Sequence, residues 1–187
     1  KLYAGLKRGA TRASFEQALA NGTVAEEVHS VVPQRREFMF VESGRLHALG
    51  AGLLVYEIQQ NSDTTYRVFD WNRVGLDGKP RALHVAESLR CIDFNDYEPA
   101  MQKPSADGEM VRCDYFDTRS TVLAAGGQHS LTLPDEFVCL AVTQGSITVA
   151  GSTLKTGDFV LLPASMDHAS KVVQSEDEAE FLEIRLP

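Results

Sequence analysis

Apolar and polar positions recur along the chain with two different periods. Near the start, Phe15, Ala18 and Leu19 fall at helical spacing behind Thr11, a residue type that caps helix N-termini. The segment stops at Asn21-Gly22, where glycine tolerates a left-handed cap. The chain is thus expected to open on helix-forming sequence. Thr23-Val24-Ala25-Glu26 reads as a capping box for a second short helix with Val24, Val28 and Val31 on one side, so two small helices should precede the first strand. From Phe38 the pattern turns to β. Phe38 to Val41, Gly52 to Gln60 and Thr65 to Trp71 are rich in β-branched and aromatic residues, and Gly, Asn, Ser and Asp separate them. His84 to Cys91 reads as a brief helix after Lys79-Pro80.

Residues 95–109 hold two prolines among Asn, Asp, Ser and Gly without any hydrophobic period, which predicts a linker. Beyond it, strands are expected at Arg112 to Phe116, Thr121 to Ala124, Ser130 to Leu133, Phe137 to Thr143, Ser146 to Ala150, Phe159 to Leu162 and Glu180 to Leu186. Short strands so closely spaced indicate an antiparallel sandwich or small barrel. The acidic run Glu176 to Glu180 reads as a solvated hairpin loop. The expected organisation is a helical segment over 1–35, a first β domain over 36–94, the linker over 95–109 and a second β domain over 110–187.

An internal comparison strengthens the β reading. GDFVLLPASMDH runs from Gly157 to His168, and REFMFVESGRLH runs from Arg36 to His47. Each has an acidic residue, a strand pattern, a break with a small residue and a final His, as copies of one β domain would. The copies are unequal, because three or four strands at most fit between residues 36 and 75, whereas a closed jelly roll needs about eight.

Composition narrows the class. The 187 residues carry a net charge of −8, with 43% apolar and 24% charged positions, as in globular proteins. No run of Lys or Arg offers a face for nucleic acid. The longest apolar stretch, Leu49 to Tyr56, is too short to span a bilayer, so no membrane partner is expected. Cys91, Cys113 and Cys139 are scattered and odd in number, which suits a reduced, cytoplasmic setting. Residues 1–100 hold 12 basic and 13 acidic side chains and residues 101–187 hold 6 and 13, so an anionic ligand is better received by the first part.

The second repeat carries Gly157, Pro163, Ser165 and His168, close to the G-x5-P-x-G-x2-H pattern of the cupins. More specific are the segment from Gly44 to Gly52 and the stretch EIQQNSDTTYRVFDWNR over 57–73, joined by Gly78 to His84 and Tyr3 to Lys7. These resemble the C-terminal part of a type I phosphomannose isomerase of the short bacterial kind. The resemblance implies a mainly β fold of cupin jelly rolls, with one complete C-terminal, non-catalytic cupin, one incomplete catalytic cupin and a short helical segment in front. It also implies a zinc-dependent isomerase that interconverts mannose 6-phosphate and fructose 6-phosphate, with a sugar phosphate as partner. On that resemblance His47 corresponds to the last zinc ligand, Arg67 to the arginine of catalysis, Glu57 to an acidic residue lining the same pocket and Arg73 to a basic position near the sugar phosphate.

The remaining zinc ligands of that family, a Gln-x-His pair and a Glu, are expected upstream of Lys1. No H-x-H, H-E-x-x-H or Q-x-H replaces them here, so the chain reads as a fragment that is inactive alone. A competing reading is a degenerate cupin that binds a sugar or sugar phosphate without chemistry, because Arg36-Glu37 and Glu42 depart from the family pattern around His47. A third is a scaffold whose open first sheet pairs with another chain. Each residue also has a plainer reading. Arg67 pairs with Asp63 or Asp70, Arg73 packs on the barrel exterior, His84 and Glu87 form a surface pair, and His168 is structural. Asn21-Gly22-Thr23 matches a glycosylation sequon but reads as a helix junction.

Overall fold

The computed structural model describes residues 1–62, 64–71, 73–75, 77–131 and 136–187. They form two compact units, one of residues 1–55 and 61–102, the other of residues 56–60 and 103–187. The architecture is mainly β, with three antiparallel sheets and two α-helices among the described residues.

The first unit opens on a strand, β1 (Leu2–Leu6), and not on a helix. Leu2, Ala4 and Leu6 are buried while Tyr3 is partly exposed, the alternation of a strand. Gly5 adopts φ +64°, and a Cβ there would lie 2.5 Å from the Pro99 ring, so glycine fits both the backbone and the space. The first helix forms as the sequence suggests, as α1 (Arg12–Asn21). Thr11 Oγ1 accepts from the Ser14 amide at 3.1 Å, Ser14 Oγ accepts from the Thr11 amide at 2.9 Å, and Gly22 closes the helix at φ 73°. Thr11→Ala should therefore lower stability by about 1 kcal/mol in urea unfolding, the usual cost of a lost N-cap.

The expected second helix does not form. Val24–Glu26 is one 3-10 turn without a side-chain cap, and β2 (Val28–Val31) follows it. The β-branched Val28 and Val31 pair with β1 at Leu6 and Leu2, so main-chain bonds across the sheet replace those along a helix. The third strand, β3 (His47–Leu49), lies on the other side of β1 and was not anticipated from the pattern. Phe38–Val41, Gly52–Gln60 and Thr65–Trp71 are not strands. Phe38 makes an isolated bridge with Gln102, and among the described residues no ladder forms along the other two. Apolar composition alone does not make a strand without a partner to bond. The brief helix is present as α2 (Val85–Cys91). Leu6, Ala10, Phe15, Val24, Val28 and Val68 form the core of this unit.

The second unit contains β4 (Glu109–Arg112), β5 (Asp117–Leu123), β6 (Gln128–Ser130), β7 (Val138–Gln144), β8 (Ser146–Val149), β9 (Ser152–Lys155), β10 (Phe159–Leu162), β11 (Val172–Gln174) and β12 (Ala179–Arg185). They make a five-stranded sheet, β10-β7-β12-β5-β4, and a four-stranded one, β6-β11-β8-β9. Leu123, Leu140, Val142 and Phe181 from the first meet Ile147, Val149 and Val173 from the second in one core. β9 and β11 were not legible in the pattern, and the strand expected at Arg112 to Phe116 falls earlier, as β4, because the Cys113 amide bonds the Phe116 carbonyl in the turn into β5. The strand expected at Ser130 to Leu133 falls earlier, as β6, and Thr132 and Leu133 lie outside the described residues. Glu180 is not in a solvated loop. It sits in β12 at 5% exposure, where the Ser120 hydroxyl donates to its carboxylate at 2.9 Å. Gly145 turns the β7–β8 hairpin at φ +69°, where a Cβ would meet the Glu178 carbonyl at 2.5 Å. Residues 56–60 join this unit through Tyr56, whose hydroxyl donates to the Val142 carbonyl at 2.6 Å and accepts from the Gly157 amide at 3.1 Å. His168 opens a 3-10 turn, and its side chain lies outside what is described.

Candidate functional site

His47 begins β3 and is exposed. Its Nδ1 lies 3.1 Å from the Arg45 carbonyl, which only accepts, so Nδ1 is the donor and Nε2 is the nitrogen left to face outward. The turn before it is held firmly. Arg45 donates to both Asp96 oxygens at 2.8 and 3.0 Å and to the Phe40 carbonyl at 2.6 Å, while the Gly5 amide binds the Leu46 carbonyl at 2.8 Å. The hydrogen bond to Asp96 raises the Arg45 pKa against the opposing effect of burial.

Arg67 lies on a segment that folds back on itself. The His84 amide donates to the Arg67 carbonyl at 2.7 Å, and Arg81 grips both oxygens of Asp70, with Nε at 2.7 Å from Oδ2. Further along, the Gly75 amide donates to the Lys79 carbonyl at 2.7 Å, and Val74 bridges Pro80. The described residues between 67 and 84 thus fold back on one another, with Arg67 facing His84 and Asp70 facing Arg81. Val68, 7% exposed, pins them to the core of the first unit. The Asp70 carboxyl is held below the usual carboxylate range, first by its hydrogen bond to Arg81 and also by the charges of Arg67 and Arg73.

This geometry revises several expectations. Arg67 is half-buried, and its guanidinium donates to the Ala82 carbonyl at 3.3 Å, while Asp70 is taken by Arg81. The Arg67–Asp70 ion pair is therefore replaced by Arg81–Asp70, and Asp63 lies outside the described residues. Arg73 is exposed, with its guanidinium 5.8 Å from the centre of the Trp71 ring. Trp71 in turn packs at 5.3 Å on both Tyr3 and Phe69, whereas Asn72 lies outside the described residues. His84 does not form a surface pair with Glu87. Its Nδ1 accepts from the Arg67 amide at 3.2 Å, and Glu87 faces Arg90 at 3.9 Å. Glu57 is exposed and belongs to the 56–60 segment of the second unit, while His47, Arg67 and Arg73 belong to the first.

Around Asp70, three guanidiniums act on one carboxylate, an excess of positive charge that favours a dianion. For a metal the donor set is smaller. His47 suits one ligand through Nε2, with its ring oriented by the Nδ1 contact, but no group of three His, Cys, Asp or Glu that could hold an ion occurs among the described residues. The described residues alone do not complete a zinc site, and His47 would need ligands from elsewhere. No described helix is long and apolar enough to cross a membrane. Sequence reasoning gave Arg81, Arg45 and Asp96 no role and read His84 only as a surface partner of Glu87. A signal existed for the first: Asp70 and Arg81 flank the turn residues Asp77-Gly78-Lys79-Pro80, a hairpin arrangement.

No family model matches the chain. Among curated proteins it is 41% identical over 164 residues to the probable mannose-6-phosphate isomerase GmuF of Bacillus subtilis, 82% of this chain and 51% of that protein. It is 31% identical over 163 residues to ManA of the same organism and 30% identical over 162 residues to the mannose-6-phosphate isomerase of Streptococcus mutans, with the same coverage. The chain spans about half the length of the curated relatives it matches. Among solved structures, the mannose 6-phosphate isomerase of Bacillus subtilis superposes with a TM-score of 0.76 at 27% identity, covering 98% of this chain and 59% of that one. In sequence and in fold, the chain is a relative of the mannose-6-phosphate isomerases, of which it spans about half.

Proposed function

We infer that this chain works as part of a zinc-dependent isomerase that interconverts mannose 6-phosphate and fructose 6-phosphate. The observation that carries this reading is the 41% identity to an isomerase over 164 residues, within which Arg67 is held at both main-chain atoms. The reaction moves one proton from C2 to C1 and one from the C2 hydroxyl to the oxygen that was the aldehyde, through an enediol-like intermediate with charge on oxygen. Zinc, when bound, supplies Lewis-acid stabilisation of that charge. Arg67 supplies a fixed cation to the developing oxyanion, and Arg73 offers a fork of donors to the phosphate. Glu57 keeps the acidic role that the family resemblance implies, and His47 would give one nitrogen to the metal. The partner ligands come from residues other than the described part of this chain. A cytoplasmic setting accords with three cysteines that are all free of disulfides.

The degenerate-cupin reading keeps one supporting observation, the single His ligand without companions among the described residues. A direct assay separates the two. The protein in its native length is expected to turn over mannose 6-phosphate, to lose that activity on chelation and to regain it with zinc. Absence of turnover with zinc present, together with calorimetric sugar-phosphate binding indifferent to chelator, would establish the non-catalytic alternative.

A further inference from the structure

We propose that His84, backed by the Asp70–Arg81 pair, is a positioning device that fixes the backbone of Arg67 and so aims its guanidinium. The working role of Arg67 rests on the function inferred above. In an ordinary antiparallel pair, two facing residues exchange two main-chain hydrogen bonds, and any side chain can sit at either place. Between Arg67 and His84 only one of the two is of that kind, from the His84 amide to the Arg67 carbonyl at 2.7 Å. The other runs from the Arg67 amide to the imidazole Nδ1 of His84 at 3.2 Å. The acceptor is a side chain, so the identity of residue 84 decides whether the Arg67 amide is held.

A ring nitrogen that accepts carries no hydrogen, which makes His84 neutral with its proton on Nε2. The ring of Tyr66 lies beside it, with the two ring centres 6.1 Å apart. Three residues further along, Arg81 clasps Asp70, which is 8% exposed, and fixes the other end of the same short stretch. Val68 lies between the two clasps and enters the core. Finally, the Arg67 guanidinium touches the Ala82 carbonyl at 3.3 Å, so residues 81–84 set both its root and its tip. Tilting the root of so long a side chain displaces its tip by more than the tilt itself, and a misplacement of about 1 Å at a reacting centre costs up to about 100-fold in rate.

The test compares His84→Ala with His84→Asn, whose side-chain oxygen stands where Nδ1 stood. In the native-length protein, His84→Ala should lower kcat by about ten-fold with KM for mannose 6-phosphate nearly unchanged, and His84→Asn should restore most of it. A role confined to stability would not produce that split or that rescue. The second arm needs no activity. Amide hydrogen exchange of Arg67 in the 187-residue chain should be slow in the wild type and in His84→Asn, and about ten-fold faster in His84→Ala. Equal exchange in all three, or an unchanged kcat in His84→Ala, overturns the device. The expected exchange pattern in a protein without turnover keeps the device and removes the isomerase reading instead.

Discussion

Replacing Glu183 by alanine is expected to cost about 3–5 kcal/mol of stability, the usual range for breaking a buried ion pair from one side. Glu183 lies in β12 at 1% exposure, and every donor around it is specific. Thr121 Oγ1 approaches at 2.6 Å, His129 Nε2 at 2.8 Å, and the Arg185 guanidinium bonds the second carboxylate oxygen. Burial alone pushes the Glu183 carboxyl up, but the hydrogen bonds from His129 and Thr121 and the charges of His129 and Arg185 outweigh it, leaving the pKa at about 2 against an ordinary 4.5. The truncated variant leaves the Arg185 guanidinium, 16% exposed in its side chain, without that carboxylate. The same contacts set the sign of the pH dependence. As pH falls, the unfolded chain takes up the proton first, near 4.5, so the stabilisation is complete above that value and is lost as pH drops through about 2. Urea unfolding at neutral pH and near pH 3, with hydrogen exchange along β12 as the local readout, should show a smaller acid loss in Glu183→Gln than in the wild type. Equal acid slopes in the two proteins would remove Glu183 as the titrating group.

The second large effect is on turnover. On the proposed assignment, Arg67→Ala in the native-length protein should lower kcat by about 100-fold to 1000-fold, the cost of removing one donor aimed at a developing oxyanion. Arg67→Lys should recover little, because an ammonium is a compact point charge that cannot occupy the guanidinium's planar fork and also reach the Ala82 carbonyl. Sugar-phosphate binding measured by calorimetry should change far less than kcat. A variant that loses affinity and keeps kcat would move Arg67 from the reacting oxygen to ground-state binding.

Much of the fold was legible because the second unit carries its pattern in its own sequence. Its strands alternate, and its turns are marked by residues such as Gln144-Gly145 and Thr156-Gly157-Asp158, so most of its strands could be placed, although β9 and β11 were missed and β4 was misplaced onto the turn that follows it. The first unit was harder to read. Leu2–Leu6 and Val28–Val31 are short apolar runs whose state depends on pairing with each other, and a single strand's composition does not disclose its partner. Expectation failed most clearly on the run from Thr65 to Trp71, where β-branched and aromatic residues suggest a strand. Its bonds go instead to an imidazole and a guanidinium across a turn. The chemistry of Arg67, Arg73, Glu57 and His47 came from resemblance. The residues that hold Arg67 came from the three-dimensional register, because nothing in the identity of His84 announces that its ring replaces a carbonyl.

The folded-back course of the described residues between 67 and 84 also bears on how this region tolerates length change. The last described contacts toward its tip are Val74 with Pro80 and Gly75 with Lys79, so residues added or removed between 75 and 79 leave the facing of 67 with 84 and 70 with 81 intact. A single insertion between Arg81 and His84 does the opposite. Such an insertion would put another side chain opposite Arg67 and push the ring one place onward, out of step with the amide it serves. Natural variants and designed libraries should therefore vary freely at the tip and keep a constant count on either side of it.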